Sequence, residues 1–227
     1  MSMLRYVLGL AGLGLAGCGP WSIEEAPNVS FAAPFPAYAA DLPAFPAQQQ
    51  GIYRLPGDTM QYLFIEAQTV WRQRIEAVRL SRANFKGSAG GAEAKPGGWQ
   101  VHSSLRYRVV RTSADSVWLE MGHPDTLFSL HRTPDARLRY WLGSYYLNTP
   151  KAGWWRVRRL VPDGPRVRWQ APSPDSLRLA KLPAAIVRLS RPASGKRWQL
   201  RPASPAQARQ VAHYEGLWVG EFVYERH

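Results

Sequence analysis

Arginine recurs at every second position along four short stretches of this chain: Arg106 and Arg108, Arg137 and Arg139, Arg156 and Arg158, Arg166 and Arg168. A guanidinium is a planar fork of donors that stays charged at any physiological pH, and it meets phosphate, sulfate and carboxylate oxygens in pairs. Trp141, Trp154 and Trp169 are interleaved with these cations. Indole faces beside guanidinium groups stack on sugars or on the cations themselves. The chemistry offered is recognition of anions, with no bond made or broken.

The charge distribution sharpens this reading. Between residues 105 and 201, nineteen Lys or Arg stand against six acids, so that segment holds the whole formal excess of +13. Asp115, Asp135, Asp163 and Asp175 fall in turn-like stretches, whereas the arginines recur where strands are expected. Neighbouring strands of this kind would present a guanidinium-covered face with a potential of several kT, a docking surface for an anionic glycan or lipid headgroup. The alternative is a solvated sheet face whose arginine stems cover apolar neighbours.

Other chemistries lack their residues. No Gly-x-Ser-x-Gly, His-Glu-x-x-His or Walker loop occurs, and Gly87-Ser88-Ala89-Gly90-Gly91 is not followed by Gly-Lys-Ser/Thr. His102, His123 and His131 have spacings that match no metal-ligand pattern, so neither metal nor cofactor is implied. Glu120 and Glu221 are the only candidates for the carboxylate pair of a polysaccharide hydrolase, and Glu120 is better suited to pairing with a cross-strand arginine. No catalytic residue is assigned. One cysteine among 227 residues excludes a disulfide scaffold and a thiolate metal cluster.

That cysteine closes the N-terminal segment. Arg5 precedes an apolar stretch over 7–16, which ends in Leu15-Ala16-Gly17-Cys18. The stretch is about half the length a helix needs to cross hydrocarbon, so it fits a cleavable export signal over 1–17. Gly9, Gly12, Gly14 and Gly17 make it a poor core helix. Leu-Ala-Gly-Cys resembles the lipobox of bacterial lipoproteins. The resemblance implies that the Cys18 thiol is acylated and becomes the mature N-terminus, so the protein is held on a membrane by acyl chains. Gly19 stands where the inner-membrane retention signal of such lipoproteins has Asp, which implies the outer membrane of the cell envelope. Export also argues against nucleic acid, the usual partner of a basic, aromatic surface.

The elements that must position the cations follow from periodicity. Six prolines between 20 and 46 mark residues 18–50 as the lipidated cysteine and an extended Pro/Ala-rich tether, although Phe31, Phe35, Tyr38 and Phe45 are unusual for a pure spacer. Over 51–227 the dominant period is two: Leu105, Tyr107 and Val109 around Arg106 and Arg108; Leu138, Tyr140 and Leu142 around Arg137 and Arg139; Trp155 and Val157 among Arg156 and Arg158. Val167 and Trp169 flank Arg168, and Leu177 and Leu179 flank Arg178. Such alternation marks strands buried on one face, and the turn residues between them describe an antiparallel meander closing into a barrel or sandwich. Ser204-Pro205 opens one short helix to about residue 214. Residues 71–80 fit a helix or a strand, and the glycine-rich stretch 87–98 reads as a loop. Gly51-x-Tyr53-x-Leu55 is echoed by Gly143-x-Tyr145-x-Leu147.

The resulting expectation is a mainly β protein with a single domain over 51–227, lipid-anchored at the envelope. It binds an anionic glycan or headgroup through an arginine-covered sheet face, or serves as a structural subunit of an envelope protein complex through its tryptophans.

Overall fold

Short alternating stretches separated by turn residues give a chain that is mainly strand. The computed structural model describes residues 29–88, 96–102, 105–190 and 197–227. The expected signal segment and Cys18 lie outside the described residues. The chain divides into two compact units, one of Ala26–Arg74 with Pro124–His227 and one that contains Ile75–His123. In the larger unit, β1 (Val29–Phe31), β2 (Asp41–Leu42), β3 (Gly51–Leu55), β4 (Asp58–Ile65) and β5 (Thr69–Arg74) come first. The smaller unit follows as an insertion: β6 (Glu76–Ser81), α1 (Arg82–Ser88), β7 (Gln100–His102), β8 (Leu105–Thr112) and β9 (Ser116–Gly122). The larger unit resumes with β10 (Pro124–Ser129), β11 (Arg137–Trp141), β12 (Ser144–Lys151), β13 (Trp154–Asp163) and β14 (Arg166–Pro172). It ends with α2 (Ser176–Leu179), β15 (Val187–Ser190), β16 (Arg197–Leu200), α3 (Pro205–His213) and β17 (Trp218–Arg226). Pro124 pairs with Gln73, so the chain leaves and re-enters the larger sheet at one place.

In the smaller unit a four-stranded sheet runs β6-β9-β8-β7. Tyr107 and Val109 of β8 and Val117 and Leu119 of β9 point to one side and pack on Phe85 of α1. The stretch left open between helix and strand is strand to Ser81; Ser81 Oγ then accepts from Asn84 N at 3.2 Å and starts α1.

The larger sheet is antiparallel but for β1, which runs parallel to β16. Ten strands, β10-β5-β4-β3-β17-β14-β13-β12-β11-β2, turn their inner sides to one barrel-like core of Tyr53, Leu63, Ile65, Val70, Phe128, Leu138, Tyr145, Leu147, Leu160, Val167, Trp169 and Tyr224. Beyond β2, Phe45 N donates to Ala67 O at 2.7 Å and so ties that end of the curl to the turn between β4 and β5, where Leu130 N donating to Gln68 O at 2.9 Å extends the β10–β5 pairing. At β13 the sheet forks. One edge of β13 carries β12 over Trp154 to Leu160; the other carries β14 over Arg159 to Asp163 and β1 at Trp155. The second branch, β1-β16-β15 with α2 and α3, builds a second core of Val29, Phe31, Phe35, Tyr146, Val157, Leu200, Val211 and Trp218. β12 is therefore buried on both sides from Ser144 to Asn148, with Tyr145 and Leu147 in one core and Tyr146 in the other.

The tether expectation over 18–50 is corrected from Val29 onward. Phe31, Phe35 and Phe45 are all buried, each side chain contributing about 1.5–3 kcal/mol of burial. Asn148, itself fully buried, accepts from Phe35 N at 2.6 Å and donates to Phe35 O at 2.9 Å, replacing the ladder partners that prolines deny this segment. The expected strand around Arg178 is instead α2, because Asp175 caps it by accepting from Leu177 N. α3 starts as expected, with Ser204 Oγ accepting from Gln207 N at 3.2 Å and proline in its first turn. The sequence echo places Tyr53 and Tyr145 in the same core. Tyr62 and Trp154, aromatic residues each eleven positions after its glycine, do not correspond, since Tyr62 pairs with Arg54 and Trp154 with Lys151.

Candidate anion-binding surface

The eight alternating arginines do not share one face. Arg106 and Arg108 belong to the smaller unit. There Arg108 Nε lies 2.5 Å from Glu120 Oε2, its register partner on β9, and its guanidinium stands 5.4 Å from the Trp99 ring. Glu120 is thus a cross-strand ion-pair partner of Arg108.

Arg137, Arg139, Arg166 and Arg168 lie on the side of the larger sheet away from the barrel core, because Leu138, Val167 and Trp169 between them point into it. Most of this group is engaged in holding the fold. Arg139 Nε donates to Asp41 at 2.7 Å and Nη1 to Pro34 O and Pro36 O at 2.8 Å each, and its side chain is only 12% exposed. Arg137 pairs with Asp41 at 3.3 Å and Asp135 at 3.6 Å, and Arg166 with Glu225 at 2.8 Å. Trp141 packs on the second core and Trp169 is buried in the first, so neither offers its ring to a ligand. Arg168 lines a cavity of about 360 Å³ with Arg159, Gln170, His213, Glu215 and Trp218. Arg159 caps the C-terminal end of α3 there, donating to Ala212 O at 2.7 Å while its guanidinium lies 4.9 Å from the Trp218 ring.

Arg156, Arg158 and Trp154 form the third group. They fall on the opposite side of β13 from Val157, the side that lines the barrel further along at Leu160. Here the second branch continues the sheet, and its register adds cations. Phe31 pairs with both Trp155 and Leu200, so Ser30 stands beside Arg156 and is matched to Gln199, which is matched in turn to Arg188. The row Thr149, Arg156, Ser30, Gln199, Arg188 thus crosses five strands, and Arg156 and Arg188 lie three strand spacings, about 14 Å, apart. The next rows bring Lys151 opposite Trp154, and Arg197 with its guanidinium 4.5 Å over the Trp154 ring. Arg201 donates to Gln199 Oε1. β1, β12, β15 and β16 contain no Asp or Glu, and the one acid of β13, Asp163, is at its far end. Lys151, Arg188 and Arg201 are exposed and Trp154, Arg156 and Arg197 half-buried.

This face contains three of the residues the alternation singled out, Trp154, Arg156 and Arg158. It also contains Lys151, Arg188, Arg197 and Arg201, which the sequence reading passed over. The signal was present: Arg188 sits between Val187 and Leu189, and Arg197 and Gln199 alternate with Trp198 and Leu200. No family model, no curated protein and no solved structure matches the chain.

Proposed function

We propose that this is a lipid-anchored protein of the cell envelope that binds an anionic glycan or lipid headgroups, without catalysis, through the basic face of β12, β13, β1, β16 and β15. One observation carries the reading: strand register gathers Lys151, Arg156, Arg188 and the Trp154 indole on one face, in strands whose one acid, Asp163, stands at the far end of β13. Elsewhere arginines meet Asp41, Glu120, Asp125 and Glu225. Cations about 14 Å apart are further from each other than the screening length of about 8 Å at physiological salt, so they act as separate contacts. That spacing suits an extended polyanion or an array of headgroups better than a single phosphate.

The test replaces Lys151, Arg156 and Arg188 together by Gln. Each cation near an anionic surface contributes about 1 kcal/mol, so the triple variant should bind a heparin-type matrix on the order of 100-fold more weakly and with a flatter salt dependence. A control variant, Arg137→Gln with Arg166→Gln, should elute near the parent. Parallel measurements on phosphatidylglycerol vesicles separate a glycan from a headgroup. Unchanged retention of the triple variant on both supports would overturn the reading.

A further inference from the structure

The hairpin joining β11 and β12 ends in a turn that its sequence does not favour. Leu142 and Gly143 are its central residues, at φ +48° and +74°. A two-residue turn with both centres at positive φ favours Asn or Gly at the first, and a leucine there is strained. The strained side chain is also 44% exposed, and beside it Tyr140 is 49% exposed. Tyr38 is 49% exposed as well. Asp41 pairs with Arg139 in antiparallel sense, so the residues before β2 run toward this same end of β11. Trp141 packs against the second core and holds the tip in place.

Strand direction relates this tip to the chain's entry. β12 starts immediately after the turn; β13 is antiparallel to β12, and β1 is antiparallel to β13. β1 therefore runs in the same sense as β12, and Val29 faces the end of the sheet that carries the 142–143 turn. Cys18 precedes Val29 by eleven residues, a reach of at most about 40 Å even when fully extended. Aromatic side chains with a polar tip and an apolar body concentrate at the interface between water and hydrocarbon.

We propose that residues 140–143, with Tyr38, seat in the interfacial layer of the bilayer that holds the acylated Cys18. The inference rests on the lipoprotein reading above. It fixes the orientation of the larger unit: the tip faces the membrane, while Lys151 and Trp154, at the other end of β12, lie about 24 Å away along the strand. The basic face is then offered to a glycan beyond the membrane, and not to the headgroups around the anchor.

The experiment uses the full acylated chain in vesicles of phosphatidylethanolamine and phosphatidylglycerol. With Cys18 acylated, Leu142→Cys and Ala152→Cys each supply a single reactive thiol for a nitroxide label. Oxygen should relax the label at 142 several-fold more than a water-soluble nickel chelate does, and the order should reverse at 152. A label at 142 as open to nickel as that at 152 overturns the proposal, and so does one shielded from both reagents, which means that protein covers the tip. The mass of the N-terminal peptide reports separately on acylation: an unmodified Cys18 brings down the lipoprotein reading and this placement with it, whereas an acylated Cys18 with an aqueous tip brings down the placement alone.

Discussion

Replacing Asn148 by Ala should be among the most damaging single changes in the larger unit, and its cost can be worked from the bonds it makes. The side chain is fully buried in β12, with Oδ1 accepting from Phe35 N at 2.6 Å and Nδ2 donating to Phe35 O at 2.9 Å. Nδ2 also lies 3.2 and 3.3 Å from Tyr146 O and Arg137 O. Truncation leaves Phe35 N–H and C=O without partners beside a buried ring. Each orphaned group costs about 1–3 kcal/mol, so the loss should be about 4 kcal/mol once the small cavity is added. A domain of this size is stable by only about 5–15 kcal/mol. Asn148→Asp should not rescue, because it keeps the acceptor for Phe35 N but sets a buried charge against three carbonyl oxygens. Urea unfolding followed by tryptophan fluorescence reads the change in midpoint, and proteolysis in native buffer reads whether residues 32–45 become cleavable. A loss below about 1 kcal/mol with an unchanged cleavage pattern would refute the claim that this segment is part of the fold.

Two further outcomes follow from the same structure. Arg139→Met should cost about 2–4 kcal/mol, since the guanidinium makes three bonds at 12% exposure, whereas Arg137→Met, whose pair with Asp41 is largely solvated, should cost under about 1 kcal/mol; equal costs in urea unfolding would contradict the division of labour between them. Burial raises the phenols of Tyr146 and Tyr224 above their ordinary value of 10.0. In the unfolded chain these groups ionise near that value while the folded state keeps them protonated, so stability should hold up to about pH 10 and fall as pH rises toward the folded-state values. Tyr224→Phe should flatten that fall, and tyrosinate absorbance from every tyrosine appearing near pH 10 in the folded protein would count against it.

Most strands were legible because half-buried strands impose a period of two. Tyr107 and Val109 do face a core with Arg108 outside, and Leu138 does face inward with Arg137 and Arg139 outward. Alternation reports that two sides differ; it does not report which side of which sheet a residue joins. β13 is the case in point. It is apolar at Val157 toward one core and at Leu160 toward the other, so its arginines sit on both sides: Arg156 and Arg158 opposite Arg159. No local pattern reveals this, because it follows from the fork where β14 leaves the edge of β13 and β1 takes it up. The insertion of the smaller unit was hidden for a similar reason, since β5 and β10 are fifty residues apart and meet only in space.

The same non-local register decides which cations are available. Asp41 lies about a hundred residues before Arg137 and Arg139 in the chain, yet β2 delivers it to both, and β17 delivers Glu225 to Arg166. Alternation along the sequence therefore grouped Arg137, Arg139 and Arg166 with Arg156 and Arg158, which register places on another side of the sheet. Of the acids in the described residues, Asp41, Glu120, Asp125 and Glu225 are placed against arginines that help to build the fold. Strands β1, β12, β15 and β16 themselves hold no Asp or Glu, although they carry Lys151, Arg188 and Arg197, and β13 beside them carries Arg156 and Arg158. Like charge on neighbouring strands opposes folding, so gathering Lys151, Arg156 and Arg188 on one face has a cost in stability for which the proposed binding role would account.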